Sequence, residues 1–392
     1  MSVTVPAGFV AAGVACGIKA GGAADLAVVA TADHRPVPVV ATFTTNRAPA
    51  APILASGAHL AATGGRAVAV VLNSGNANAA TGASGLDDAE RTCALVAAEL
   101  GCGAEEVLVC STGLIGIPLP MAAVAGGIPA LAASLASDGG RAAALAMLTT
   151  DTGPKETLVT GPGFSVGGMA KGAAMLAPAM VGPPSATMLA VLTTDAAAEA
   201  TVLQAALDAA VAASFDVIST DGSCSTNDTV FLMASGVAGP VDDVALAAAV
   251  TVACAELAEQ MVLDAEGATK VVKVRVTGAA SSEDARRAAR RVAESQLCKC
   301  SWYGGDPYWG RIVSELGASG AAFDPDRVAV AYGGVVVCAG GVAASHDAAA
   351  VAAVMAEPRI EVAADLGLGE AAAEILTCDL TPGYIDENMR TS

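Results

Sequence analysis

The sequence predicts an α/β protein in which sheets are sandwiched by helices, and three observations predict it. Short β-branched apolar runs recur between glycine-rich breaks. Longer segments with helical apolar spacing stand between them. Hydrophobic residues make up 54% and charged residues 15%, and much of the apolar share is alanine, which suits helix-rich, tightly layered packing. A chain of 392 residues exceeds one ordinary core, so two domains or one large layered body are expected, with a division near residue 187.

In the first half, Ala24–Ala30, Val37–Thr44, Arg66–Leu72 and Val107–Cys110 read as strands. Asp87–Leu100 and Met121–Ala136 read as helices, the second entered through Pro118 and Pro120. Thr152–Ala186 then carries GPK, GPGF, VGGMAKG and VGPPS, and reads as loop-rich. In the second half, Ala200–Ala213 and Asp242–Met261 have helical spacing, and Val271–Val276 and Val328–Val337 read as strands. Ser281–Glu294 has a serine cap, acids in its first turn and an arginine face that reads as solvated helix surface.

The net charge of −19, with no basic stripe and 3% aromatics, argues against nucleic acid as a partner. No run of about 18 bulky apolar residues suggests a membrane span. Phe9–Val14 is short and follows no basic segment, so it does not read as a signal peptide, and the cytosol is the expected location. The ten cysteines lack framework spacing and read as small buried hydrophobes; Cys298 and Cys300 form CKC, but no second pair completes a metal site and no metal is expected. His34, His59 and His346 stand apart from one another and read as surface or capping residues. There is no nucleophile elbow, no HExxH and no phosphate-binding glycine loop.

What remains is a series of small-residue polar islands in apolar surroundings. They are LNSGNANA (72–79), CSTGLIG (110–116), LTTDTGPK (148–155), GGMAKGAAML (167–176), ATMLAVLTTD (186–195), STDGSCSTNDTV (219–230), LDAEGATK (263–270), GGDPYWGR (304–311) and the terminal Asn388–Ser392. Each alone is readable as a turn or a cap; their number points to a site.

Together, in this order and over nearly the whole chain, these islands resemble the ornithine acetyltransferase family, the bifunctional glutamate N-acetyltransferases of arginine biosynthesis. GFVAAGVACGIKA near the start and LTCDLTPGYIDEN near the end extend the resemblance. It implies a layered α/β fold superficially like N-terminal-nucleophile hydrolases. It implies self-cleavage between Ala186 and Thr187 into an α chain (1–186) and a β chain (187–392), paired as an α2β2 tetramer. It assigns Thr187 as nucleophile, Thr112 and Gly113 as oxyanion hole, and Thr150, Lys171, Thr187, Glu266, Asn388 and Ser392 as substrate contacts. The substrates are N2-acetylornithine and glutamate; no cofactor is implied, and acetyl-CoA stays open as a second donor.

The chemistry suits a histidine-poor chain. A threonine hydroxyl is a weak nucleophile, but the α-amine of an N-terminal threonine can take its proton, and that amine has a pKa of about 8. Attack on the N-acetyl carbonyl gives an oxyanion, ornithine leaves, and glutamate then attacks the acetyl-threonine ester, a ping-pong transfer.

The sequence departs from the family pattern in four places. Val181–Ser185 (VGPPS) is an apparent insertion before the cleavage point, Ala174 replaces a glycine, Tyr308 replaces the asparagine of DPNWGR, and the C-terminus is a residue short. An alanine at 174 is costly where the backbone has positive φ. Three alternatives stay open: a self-processed amidase or aminopeptidase, a paralogue serving specialised metabolism, and an uncleaved binding subunit.

Overall fold

The computed structural model describes residues 3–177, 180 and 188–389. They form two compact units, Met1–Asp216 with Ser223–Met261, and Val217–Gly222 with Val262–Ser392. This division by packing is separate from the covalent division expected at residue 187.

The first unit contains, in order, β1 (Phe9–Val14), β2 (Leu26–Thr31), β3 (Val37–Phe43), α1 (Ala51–Thr63), β4 (Arg66–Ala67), β5 (Ala69–Asn76), α2 (Gly82–Leu100), β6 (Val107–Leu114), α3 (Met121–Ala133) and α4 (Gly140–Ala146). It continues with β7 (Lys155–Gly161), β8 (Phe164–Lys171), β9 (Leu189–Ala197), α5 (Ala200–Ala213), β10 (Thr229–Pro240) and α6 (Asp243–Leu263). Two sheets result, in strand order β1-β2-β5-β6 and β4-β3-β10-β9-β8-β7. The expected α/β layering is what forms.

Side-chain alternation explains the layers. On β5, Val70 and Leu72 enter a core shared with Met169, Leu189, Val191, Phe231 and Met233 of the second sheet. Ala69 and Val71 point the other way, into a core with Cys93, Val96, Val124 and Ile128 of α2 and α3. A strand buried on both faces reads as a continuous apolar run, which is what AVVL is. Parallel pairing of β5 with β6, and of β9 with β10, requires crossovers, which α2 and α5 supply.

Thr152–Ala186 is less loop-like than its composition suggests. GPGF is the tight turn of the β7–β8 hairpin, with Gly161 opposite Phe164 and Gly163 at φ 82°. The glycines of VGGMAK lie in β8, where a Cβ on Gly168 would stand 3.0 Å from Thr157 and 3.2 Å from Leu257 of α6. Glycine there lets the helix close onto the sheet. Helix α1, built largely of alanine, and strand β10 were not expected. By length and mean hydropathy, 1.3 and 1.6, segments 200–217 and 243–263 would suit a membrane. Their packing shows them to be layer helices: Gln204 of α5 donates to the Ala41 carbonyl of β3 at 3.2 Å, and Gln260 of α6 to the Glu156 carbonyl of β7 at 3.1 Å.

The second unit adds β11 (Val271–Ala279), α7 (Ser282–Ala293), α8 (Gln296–Tyr303), α9 (Trp309–Gly317), β12 (Ala329–Tyr332), β13 (Val335–Ala339), β14 (Val342–Ala343), α10 (Ala348–Ala356), β15 (Arg359–Asp365), β16 (Ala371–Cys378) and α11 (Pro382–Asn388). Its sheet runs β14-β13-β12-β15-β11-β16. One face packs Val272, Val274, Val276, Val362 and Ile375 on Ala285, Ala289, Val292 and Trp302 of α7 and α8. The other is solvated, with Lys273 and Arg275 each 3.5 Å from Glu374 across the β11–β16 pair. The arginines of α7 lie on its outer side, as its sequence pattern predicts, with Arg287 paired to Glu283 and Arg291 to Glu315.

Candidate active site

In the first unit the chemistry gathers where β5 and β6 end. A bulge at Gly75–Asn76 shifts the register there, and Gly113 takes φ 132°. A Cβ on Gly113 would stand 2.3 Å from the Gly75 carbonyl carbon, so no other residue fits without moving β5. The LNSGNANA island is the scaffold around this bend. Asn73 donates to the Asn76 carbonyl at 2.8 Å and accepts from Ser111 Oγ at 2.6 Å, while Asn76 donates to the carbonyls of Ile117 and Pro118 at 3.1 Å each. Buried asparagines so satisfied fix a loop that cannot use a regular ladder.

Thr112, 1% exposed, ends up beside a buried ion cluster. Lys171 Nζ, at the end of β8, donates to Thr112 Oγ1 at 3.2 Å. Since the hydroxyl accepts from lysine, its own proton is available for donation. Asp151 lies 3.8 Å from Lys171 Nζ and accepts from Lys155 Nζ at 2.5 Å, from the Gly172 amide at 2.7 Å and from the Thr149 amide at 3.1 Å. The three side chains are 0%, 2% and 3% exposed for Asp151, Lys155 and Lys171. Burial pushes the Asp151 carboxyl up, but the two ammonium groups and the amide donors outweigh it and hold it down at about 2. Lys171, readable in the sequence as a surface lysine, is thus a core group. Thr150 is exposed; its neighbours Thr149 and Asp151 are the ones that join the cluster.

A third lysine stands close by. The ACGIKA loop wraps the buried Asp25, whose carboxylate accepts the amides of Cys16, Gly17, Ile18 and Lys19 at 2.7–3.1 Å. This turns Lys19 toward Gly75, where a Cβ would meet its Cγ at 3.0 Å. Burial and Lys171 both lower the Lys19 pKa against the opposing pull of Asp25 and Asp151. Asp25, Lys19 and Asp151 are not legible individually as members of a site, because their roles rest on burial and, for Lys19 and Asp151, on the approach of Gly75, Gly172 and Lys171 from other segments.

Ala186 and Thr187 lie outside the described residues, as does the Val181–Ser185 insertion. The chain re-enters at Met188, whose amide donates to Asp228 Oδ1 at 2.5 Å. Ala174 carries no positive φ; the left-handed position is Met175, at φ 50°, so the strain anticipated for alanine falls one residue later. His59 is no surface residue. It is 4% exposed, bonds the Val107 carbonyl at 2.8 Å and Glu90 at 2.8 Å, and ties α1 to β6 and α2. Its burial comes from helix α1, which the sequence does not mark as a helix. His34 and His346 are exposed, each bonded to a carbonyl.

In the second unit Glu266 and Asn388, 122 residues apart, meet directly. Asn388 Nδ2 donates to Glu266 Oε2 at 2.6 Å and to the Tyr384 carbonyl at 2.8 Å. The contact exists because α11 lands on the DAEG turn. Thr381 Oγ1 donates to the Gly267 carbonyl at 2.6 Å, and a Cβ on Gly267 would stand 2.3 Å from the Tyr384 amide nitrogen. Asp221 faces the Tyr384 hydroxyl at 3.5 Å; burial, then Asp221 and Glu266, push that phenol up to about 12. Ser392 lies outside the described residues. Tyr308 is exposed at the start of α9, its ring 5.6 Å from the Arg311 guanidinium carbon. Cys298 is buried and Cys300 exposed, and among the described residues no three His, Cys, Asp or Glu side chains gather as metal ligands.

These arrangements sort by charge. The first unit presents ammonium groups and a hydroxyl at a strand end, suited to a carboxylate and a carbonyl oxygen. The second presents carboxylates and an amide, suited to an ammonium group.

Comparison with known proteins agrees with the sequence. The model of the ArgJ family matches residues 10–391. The arginine biosynthesis bifunctional protein ArgJ of Thermobifida fusca is 48% identical over 394 residues, 100% of each chain, and that of Streptomyces coelicolor 47% identical over the same span. Among solved structures, the ornithine acetyltransferase of Mycobacterium tuberculosis, complexed with ornithine, is 45% identical over 45% of this chain and 95% of that chain, with a TM-score of 0.41. The chain belongs to the ArgJ family.

Proposed function

We propose that this chain transfers an acetyl group from N2-acetylornithine to glutamate, after cutting itself between Ala186 and Thr187. The buried Thr112–Lys171–Asp151 cluster at the end of β6 carries the reading. Apolar residues of the same volume often serve a core as well or better, so two lysines and an aspartate buried beside the Thr112 hydroxyl favour a chemical role for the cluster.

In this reading the freed α-amine of Thr187 accepts the proton of its own hydroxyl, and Oγ attacks the acetyl carbonyl. Thr112 O–H and the Gly113 amide receive the developing oxyanion, each well-placed donor contributing about 3–4 kcal/mol. Lys171 holds the Thr112 hydroxyl so that its proton points outward, and Asp151, itself paired with Lys155, holds Lys171. The C–N bond to ornithine breaks, the amine leaves with the proton taken from Thr187, and the acetyl group stays as an ester. Glutamate enters, its amine attacks the ester carbonyl, and N-acetylglutamate leaves as Thr187 regains its proton. The family resemblance assigns Thr150, Lys171, Glu266, Asn388 and Ser392 to substrate contacts; an ammonium group such as that of Lys171 suits a carboxylate, and a carboxylate such as that of Glu266 suits an ammonium group. No cofactor takes part. The α and β chains stay together as an α2β2 tetramer working in the cytosol.

The test is an assay of the purified, cleaved protein with acetylornithine and glutamate. Parallel-line kinetics and stoichiometric N-acetylglutamate support the reading; acetate release without transfer contradicts it and identifies an amidase. Acetyl-CoA as sole donor, in the same assay, decides whether it is a second acetyl source.

A further inference from the structure

The STND run was conspicuous in the sequence, yet the mechanism above leaves it without a part. It holds two adjacent side chains that point to different strands. Asn227, 2% exposed, donates through Nδ2 to the Ala77 carbonyl at 2.6 Å and the Ser111 carbonyl at 2.8 Å. Those carbonyls lie just past the end of β5 and on the residue before Thr112. Asp228, 0% exposed, accepts the Met188 amide at 2.5 Å, one covalent bond downstream of residue 187. The backbone pairing of β9 with β10 ends where the Thr229 amide donates to the Met188 carbonyl at 3.1 Å. Met188 is itself fully buried, so its amide needs a side-chain acceptor.

The run is anchored from its own side too. The Thr44 amide donates to the Asp228 carbonyl at 2.9 Å, and the Ala50 amide to the Thr226 carbonyl at 2.8 Å. Thr226 Oγ1 donates to Asn227 Oδ1 at 2.6 Å, fixing which way that amide faces. Asp228 Oδ2 is buried with no hydrogen-bond partner among the described residues. Burial pushes this carboxyl well up, against the pull of the Met188 amide, of the Ser225 hydroxyl and of Lys171.

We infer that Asn227 and Asp228 are positioning residues, a two-residue brace that sets the oxyanion-hole strand and the nucleophile strand at reacting distance. The inference rests on the proposed role of Thr187 and Thr112. Consecutive Cα atoms are separated by a fixed span of about 3.8 Å, so one peptide unit links the two strand ends rigidly. Acyl transfer tolerates little slack, because a misplacement of about 1 Å costs on the order of a hundredfold in rate. What the brace requires at 228 is an acceptor for the Met188 amide, which a neutral amide side chain also provides.

The experiment uses the full chain carrying Asp228→Ala, Asp228→Asn or Asn227→Ala, with self-cleavage followed by intact mass, kcat and KM measured on the cleaved fraction, and folding checked by thermal melt. Asp228→Ala should slow cleavage about a hundredfold, Asn227→Ala should lower kcat about tenfold to a hundredfold with KM little changed, and Asp228→Asn should stay within about fivefold of wild type. Asp228→Ala cleaving at the wild-type rate overturns the brace. So does a folded Asp228→Asn as slow as the alanine variant, which would mean the carboxyl carries a proton. If Asp228→Ala does not fold, Asn227→Ala decides, and an unchanged kcat overturns the inference. A wild-type chain that never cuts itself overturns the underlying reading instead.

Discussion

Replacing Asp151 by asparagine should destabilise the protein at neutral pH, and the loss should vanish in acid. The carboxylate is fully buried and compensates two ammonium groups that are themselves 2% and 3% exposed. Withdrawing one partner of a buried ion pair costs about 3–5 kcal/mol, because the charge left behind stays desolvated. The carboxyl tells the same story: against the upward push of burial, the two ammonium groups hold its pKa at about 2, below the ordinary carboxylate value, which corresponds to about 2 kcal/mol of stabilisation. A carboxyl whose pKa is depressed on folding stabilises above its unfolded pKa, and that contribution is lost as pH falls through the folded value. The wild-type advantage should therefore be full above about pH 4 and fade toward pH 2. Chemical denaturation of both proteins across pH 2–7 measures it, with an expected difference of about 2–5 kcal/mol at pH 7. Equal stability at pH 7, or a difference that does not shrink in acid, would refute the reasoning.

Further perturbations probe other parts of the account. Thr112→Ala should lower kcat about a hundredfold to a thousandfold while leaving the melt close to wild type, as steady-state kinetics would show. Gly113→Ala puts a Cβ 2.3 Å from the Gly75 carbonyl carbon, so it should abolish transfer and lower thermal stability together. Glu266→Ala should raise KM for acetylornithine with a smaller effect on kcat, because it removes ground-state binding. Lys299, 3% exposed, donates to the carbonyls of Thr220 and Cys378 at 2.6 Å each and to Thr377 Oγ1 at 3.0 Å. Lys299→Met should cost about 3 kcal/mol in denaturant unfolding, since it leaves buried acceptors unmet.

The strands and helices with strong periodicity were legible because their physics is local. β2, β3, β6, β11, α3, α5 and α7 each announce themselves by alternation, apolar runs or caps. β8 and the β7–β8 turn were not, since glycine in VGGMAK signals a loop until one knows that Leu257 packs over Gly168. The site divides in the same way. Motif order was enough to nominate Thr112, Lys171, Glu266 and Asn388, and the fold brings Thr112 to Lys171 and Glu266 to Asn388. Asp151, Lys155, Asn227 and Asp228 lie in islands the sequence marks, but their individual roles come from burial and from contacts such as Asp151 with Lys171 and Asn227 with Ser111, which no local pattern encodes. His59 shows the converse, a residue whose surface reading fails because Ser56, Gly57 and His59 itself interrupt the apolar spacing that would mark helix α1.

The central claim is that the chain makes its own nucleophile, and the intact mass of the denatured protein tests it most directly. The account predicts two fragments summing to about 38.0 kDa plus one water, the second beginning at Thr187, with Thr187→Ala remaining whole. A single uncut wild-type chain, or a cut at any other bond, would contradict it.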